Sequence, residues 1–313
     1  MRDALVDWIA ANVGQRFAGS SVDRIGVGHS RAMYRITAPD GTRLVARVEQ
    51  GGVFGTASAE ECRVMRALAE RDFPVAAIVG DEPTGTAIGR PFFVMEFLDG
   101  AAAADERALD GETAAAFVDA LARLHQLDPS GIEFDIRVDD PSRATPAQVE
   151  RWRDIYRGAT DKPIPLLEEA SAWLLLHAPP LARLAVVHGD AGPGNFVHAG
   201  GAVVVVTDWE FAHAGDPAED YAFCLTMRGS RTMPRDEWLR LFKERAGVEL
   251  RDEEWRYWEA FNLFKGACAN RTCLAVFEDG RNRAPNMAII GTALHQMFLR
   301  RLVAIVHDEG DNQ

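Results

Sequence analysis

The chain has 313 residues, 47% of them hydrophobic and 26% charged, the balance of an ordinary globular protein with room for two sizeable cores. With 47 Asp and Glu against 34 Lys and Arg, the formal net charge is -13, which argues against a nucleic-acid partner, because that binding needs basic side chains to neutralise phosphates. Four scattered cysteines with no Cys-x-x-Cys pair read as buried reduced thiols, the N-terminus is too charged for a signal peptide, and the longest apolar runs fall far short of a membrane span. A soluble, cytoplasmic protein is the expectation.

In chain order, residues 3–17 carry Leu5, Trp8, Ile9 and Val13 at helical spacing. Short strands are expected at 22–28, 32–38 and 43–49, with Pro39-Asp-Gly41 as a hairpin turn. A helix follows over Ser58–Arg71, then strand candidates at Pro74–Val79 and Pro91–Phe97. Past Leu98-Asp-Gly100 the composition shifts, so that residues 1–98 form one expected unit and 99–313 a second, mainly helical one. Helices are expected at 112–125, 147–158, 164–177, 235–246, 252–278 and 286–306, with an irregular stretch over 129–146 and a frayed acidic tail at 308–313.

The segment that breaks the helical pattern is 185–210, a hairpin turning at Ala199-Gly-Gly201. It holds His188-Gly-Asp190-Ala-Gly-Pro-Gly-Asn195 and then a Val203–Val206 run opening onto Asp208-Trp-Glu210. Four consecutive valines imply a well-buried strand with Asp208 at the edge of a core, where an ionised carboxylate wants a metal or a cation. Phosphoryl transfer requires such a set: one Asp to orient and deprotonate the attacking hydroxyl, and an Asn and a second Asp to hold Mg²⁺ against nucleotide phosphates. A polar turn after a strand is the plain alternative for Asp190 and Asn195, and the downstream Asp208 decides against it. Glu210 is a further candidate at the metal, ligating through water or simply supporting the ligands from behind. His188 reads as a packing residue of the loop. Asp216 and Asp220 of Gly215-Asp-Pro-Ala-Glu-Asp220 read as caps and braces of that loop. Gly26-Val-Gly28-His29-Ser30 is a weak candidate for a loop over phosphates, and Arg47, on the 43–49 strand, has Glu60 and Glu61 as candidate ion-pair partners, or else snorkels to solvent from an edge strand.

These motifs, with Leu121-Ala-Arg-Leu-His125, resemble those of the aminoglycoside phosphotransferase and choline kinase superfamily, and the final helices look most like the kinase-like domains associated with acyl-CoA dehydrogenases. The resemblance runs over about residues 20–300. It implies an α+β, two-lobed protein-kinase-like fold, with a small N-terminal antiparallel sheet lobe and a larger, mainly helical C-terminal lobe. It further implies ATP or another NTP with Mg²⁺, Asp190 as catalytic base, Asn195 and Asp208 as metal ligands, and Arg47 with Glu61 as the phosphate-positioning pair. Gly28 and Ser30 would lie at the phosphates, and Met95-Glu96-Phe97 would be the hinge, placing Glu96 and Phe97 at the nucleotide. Arg47 stands where many relatives have Lys, and Arg31 where Asn is common.

The expected activity is phosphorylation of a small-molecule hydroxyl. A non-catalytic nucleotide-binding module and a metallohydrolase built from His188, Asp190, Asp208, His213 and Asp216 are the competing readings. Trp255, Tyr257, Trp258, Phe261 and Phe264, interleaved with Arg256, Lys265 and Arg271, are mostly lobe core by expectation. Any that face the cleft would suit an apolar or anionic alcohol, such as a hydroxyacyl thioester, better than a polycationic aminoglycoside.

Overall fold

The computed structural model describes residues 1–27, 30–51, 53–100, 102–104 and 108–307. Helix α1 (Arg2–Asn12) stops short of the expected end because Gly14 breaks it, and a 3₁₀ turn at Gln15–Phe17 leads into the sheet. Strands β1 (Ser21–Val27), β2 (Arg31–Thr37) and β3 (Arg43–Glu49) form a meander, followed by helix α2 (Ser58–Ala69) and strands β4 (Ile78–Glu82) and β5 (Phe92–Glu96). The sheet is antiparallel in the order β1-β2-β3-β5-β4, so β3 is internal. Its alternation sorts side chains by face. Leu44, Ala46 and Val48 join Leu5, Val6 and Ile9 of α1 in one core. Val45 joins Val64, Met65 and Leu68 of α2 in another, and Arg47 has the same parity as Val45.

The strand expected at Pro74–Val79 lies later, because the carbonyls of Pro74 and Ala77 accept instead from Val206 N–H (2.8 Å) and Glu96 N–H (3.0 Å). The extended segment before β4 thus ties the first sheet to the strand that ends at Val206.

Beyond β6 (Ala102–Ala103) come helices α3 (Gly111–Gln126), α4 (Pro141–Gly158) and α5 (Pro165–Leu176). Helix α4 starts six residues before the expected 147. Asp140 caps it through Ser142 N–H (2.9 Å) and Pro141 sits in its first turn, where a missing N–H costs nothing, so the Pro- and Asp-rich stretch is a helix start rather than an excursion.

The 185–210 segment is also rearranged. Strand β7 (Ala185–Val187) pairs with β10 (His213–Gly215), while β8 (Phe196–Ala199) and β9 (Ala202–Val206) form the hairpin around Gly200-Gly201, with β6 on its outer edge. Only Val205 and Val206 of the valine run are buried; Val204 is exposed, since a hairpin strand buries one end and leaves the other in water.

Helix α6 (Ala218–Phe223) continues as a π-helical stretch, Cys224–Arg228. Helices α7 (Arg235–Leu241), α8 (Asp252–Glu278), α9 (Pro285–Ile289) and α10 (His295–Val306) complete the fold. Helix α8 carries the second lobe's core: Trp258, Phe261 and Phe264 meet Trp152 of α4, Leu167 of α5, and Leu299 and Leu302 of α10. Contrary to expectation, Pro285–Val306 is long and apolar enough to cross a membrane by length and composition, although His295, Leu299 and Leu302 are buried against the protein. All four cysteines are buried and free.

Candidate active site

Two glycines shape the loop between β7 and β8. A Cβ on Gly189 (φ +80°) would lie 2.5 Å from the Phe211 carbonyl, and one on Gly192 (φ +150°) would lie 2.9 Å from the Arg228 side chain. The loop is therefore pressed between the turn after β9 and the π stretch. Asp220 accepts from the N–H groups of His188 and Gly189, each at 2.8 Å, and from His125 Nε2 at 2.9 Å. Burial opposes the charge on Asp220, but the His125 bond and the loop amides outweigh it and hold its pKa below the ordinary carboxylate value. Lys265 of α8, itself buried, donates to the Gly189 carbonyl (2.7 Å) and to Glu219 (2.6 Å), which in turn faces His213. Asp216 caps α6 through Ala218 N–H (2.9 Å). His188 packs on Trp209, accepts from Asp190 N–H at Nδ1 (3.1 Å) and bonds the Thr207 carbonyl through Nε2 (2.9 Å). Both ring nitrogens are thus occupied by backbone groups, one in the loop and one just after β9, which is a packing role.

The strand register brings the metal-ligand candidates together. Phe196 pairs with Val206, and Thr207 N–H donates to the Asn195 carbonyl (2.9 Å), so Asn195, just before β8, lies beside the turn that holds Asp208, just after β9. Asp208 adopts a left-handed conformation (φ 70°, ψ 60°), uncommon for a residue other than glycine and a form of strain that clusters at functional sites. Asn195 directs its amide nitrogen to the carbonyl and carboxylate of Asp190, at 2.8 and 2.6 Å. Its carbonyl oxygen is left out of those two bonds. That oxygen and an Asp208 carboxylate are the hard oxygen donors Mg²⁺ prefers, so the donor set fits that ion.

Arg47 does not snorkel: it is 6% exposed on an internal strand between Met33 and Phe93. One guanidinium nitrogen reaches Glu61 (3.0 Å) and Asp208 (2.8 Å). Glu61 is therefore its partner, and Glu60 instead accepts from Asp135 N–H (2.7 Å). Burial disfavours the charge on Arg47, but Glu61 and Asp208 outweigh it and raise its pKa; burial likewise opposes the charge on Asp208, where Arg47 prevails and holds the pKa low.

Glu210 is turned to the other lobe. The hydroxyls of Ser30 and Thr56 donate to its two carboxylate oxygens at 2.8 and 2.9 Å, and Arg31 stands 3.9 Å away. Burial, with Asp208 nearby, pushes its pKa up to about 7. The two residues expected at metal and phosphate, Glu210 and Ser30, are thus bonded to one another. Arg31, at the position where Asn is common, is buried and also donates to Thr56. Met95 is buried and Glu96 exposed at the end of β5, and Phe97 carries the Arg43 guanidinium over its ring at 4.6 Å. Gly28 lies outside the described residues.

One cleft of about 510 Å³ joins these groups; Ser30, Arg47, Asp190, Asp208 and Glu210 all line it. Its other wall is Phe54, Phe211, Phe223, Met227, Leu294, Met297 and Phe298, with Arg228, Arg231, Lys265 and Arg301. Of the aromatic and basic residues singled out between 255 and 271, Lys265 alone is in that lining; Tyr257, Trp258, Phe261 and Phe264 are core, as expected of most of them. Sequence reasoning missed Arg228, whose guanidinium forks onto both carboxylate oxygens of Asp190, at 3.2 and 2.5 Å. Its signal was a cation in the helix after the Gly-Asp-Pro-x-x-Asp motif, but its face depends on π winding that periodicity does not reveal.

The family model of the phosphotransferase enzyme family matches residues 21–261, most of the chain. The chain belongs to that family. This phosphotransferase is 28% identical over 295 residues to mouse (Mus musculus) acyl-CoA dehydrogenase family member 10, covering 85% of the chain but 27% of the relative. The chain thus spans about a quarter of that relative's length. Among solved structures, choline kinase LicA from Streptococcus pneumoniae superposes with a TM-score of 0.67 at 14% identity, over 96% of this chain and 98% of its own. A thermostable mutant of aminoglycoside phosphotransferase APH(4)-Ia, in ternary complex with ADP and hygromycin B, gives 0.65 at 14% identity, over 99% and 100%. The phosphotransferase therefore has the protein-kinase-like fold: a small antiparallel sheet lobe on a mainly helical one.

Proposed function

We propose that this phosphotransferase is an ATP- and Mg²⁺-dependent kinase for the hydroxyl group of a small molecule, with Asp190 as the base. The observation that carries the reading is that Asp190, Asp208 and Arg47 line one cleft, with Asn195 bonded to Asp190 and Glu61 paired to Arg47 behind its surface. Asn195 and Asp208 would hold Mg²⁺, which when bound supplies positive charge against the phosphates. Arg47, oriented by Glu61, would pair with phosphate oxygens, while Glu96 and Phe97 at the end of β5 would flank the nucleotide. Glu210 is better read as the strut that holds Ser30 and Arg31 under the phosphate loop than as a metal ligand, because both of its oxygens already accept hydroxyl bonds. A metallohydrolase is disfavoured because His213 pairs with Glu219 and Asp216 caps α6, so neither converges on Asp208. The ADP complex of the structural neighbour supports the nucleotide half of the reading.

The cleft lining favours an acceptor that is apolar or anionic. Its carboxylates are Asp190, Asp208 and Glu210, all from the catalytic segment, whereas the helical wall contributes methionines, phenylalanines and four basic residues. A polyamine acceptor is recognised by several charge-assisted bonds to clustered Asp and Glu, a set absent from that wall among the described residues. The test is nucleotide consumption with a panel of hydroxyl compounds, including hydroxyacyl-CoAs, choline and aminoglycosides. The expected result is turnover on anionic or apolar alcohols. Kanamycin-type compounds turned over at a kcat/KM of about 10⁴ M⁻¹s⁻¹ or above would overturn the acceptor class.

A further inference from the structure

The carboxylate of Asp190 is held more tightly than a general base requires, and the holding group comes from outside its loop. Arg228 donates from Nε to Oδ1 (3.2 Å) and from Nη2 to Oδ2 (2.5 Å), while Nη1 reaches the Pro193 carbonyl (3.3 Å). Its stem lies against Gly192, where a Cβ would fall 2.9 Å from both Cβ and Cδ of the arginine, so the loop has given up a side chain to admit it. Arg228 closes the π-helical stretch Cys224–Arg228, eight residues after Asp220. In a regular α-helix eight residues make about 2.2 turns, and the wider i→i+5 winding trims this toward two. That brings Arg228 round to the face of Asp220, which holds the amides of His188 and Gly189. One helix thus fixes both the backbone of the loop and the carboxylate at its tip.

A carboxylate has about four lone-pair sites. Oδ2 uses two, for Arg228 Nη2 and Asn195 Nδ2, and among the described residues Oδ1 accepts only the longer bond from Arg228 Nε. We propose that Arg228 is a positioning residue for phosphoryl transfer, fixing the plane of Asp190 so that the free lone pair of Oδ1 meets the acceptor. This rests on the kinase reading above. In the step, the acceptor O–H bond breaks and its proton passes to Oδ1 as the acceptor oxygen bonds the γ-phosphorus. The bond from that phosphorus to the β–γ bridging oxygen breaks, and its electron pair leaves on the nucleoside diphosphate. Arg228 transfers nothing; the fork prevents the carboxylate from rotating, and misplacing a reacting group by 1 Å costs about 10²-fold.

The test uses ATP with Mg²⁺ and water as acceptor, hydrolysis being followed by ³¹P NMR alongside calorimetric Mg-ATP titration. Arg228→Met is expected to lower hydrolysis by about 10²-fold with Mg-ATP affinity unchanged, and Arg228→Lys, a cation without a fork, to recover part of the loss. Arg228→Met combined with Asp190→Asn is expected to be no slower than Asp190→Asn alone, because the arginine acts only through that carboxylate. Losses that simply multiply in the double variant, or full hydrolysis in Arg228→Met, would overturn the proposal. Wild-type protein that does not bind Mg-ATP would instead overturn the kinase reading, and the role of Arg228 with it.

Discussion

On the proposed kinase reading, the chemistry turns on Asp190 and Arg47, and each makes a separable prediction. Asp190→Asn keeps the size and the Asn195 contact but removes the base, so turnover is expected to fall by about 10²- to 10⁴-fold while Mg-ATP still binds; steady-state kinetics with calorimetry checks both halves. Arg47→Ala is expected to raise the KM for ATP and lower kcat. It should also cost about 3–5 kcal/mol of stability in denaturant melts, because Glu61 would be left buried without its nearest cation. Arg47→Lys should keep part of both. Wild-type kinetics in Arg47→Ala would mean that another cation meets the phosphates. That Asp190, Asn195 and Asp208 come together could be read from the sequence because their spacing within short motifs survives folding unchanged; for Arg47 the sequence offered both Glu60 and Glu61, and only the packing of α2 selects Glu61. Arg228 could not be read in this way, nor could the engagement of Glu210 by Ser30 and Thr56, because those contacts join residues 38, 180 and 154 positions apart.

Helix α6 and its π extension act as the splint of the loop between β7 and β8. Asp220 is fully buried and bonded to two loop amides and His125, so Asp220→Ala should cost about 3 kcal/mol or more in chemical denaturation and loosen the loop. A loss under about 1 kcal/mol would mean that Lys265 and Arg228 hold the loop without Asp220. Helix and strand positions were largely legible wherever periodicity was unbroken, as in β1–β3, α3 and α8. The errors lie where local chemistry overrides pattern: Asp140-Pro141 begins a helix that its Pro-rich composition argued against, and the valine run is half solvated because β9 is a hairpin strand. That β7 pairs with β10 rather than with β9 depends on a contact across the whole loop, which no local signal specifies.

At the scale of the molecule, the net charge of -13 and the four basic residues of the cleft's helical wall point in opposite directions. The surface charge serves solubility and weak steering, while the acceptor is chosen by the cleft's own side chains. The two lobes meet through Arg47–Asp208 and through the Glu210 contacts with Ser30 and Thr56, so a nucleotide bound between them should stabilise the whole fold. At a hundredfold excess over Kd the gain is about 2.7 kcal/mol, visible as a rise in Tm that disappears when EDTA removes Mg²⁺. An equal rise with EDTA present would mean that the nucleotide is held without metal.

The most direct test of the phosphotransfer centre is calorimetric titration of Mg-ATP into wild type and Asp208→Ala. Asp208 is paired with Arg47, and on the proposed reading it would tie the metal, and through it the phosphates, to that cation. The expected result is clear binding to wild type and none to Asp208→Ala at the same concentrations. Equal affinity in the two proteins would contradict the account, since the metal and phosphates would then be held away from the place where the loop of Asp190 and Asn195 meets the turn of Asp208.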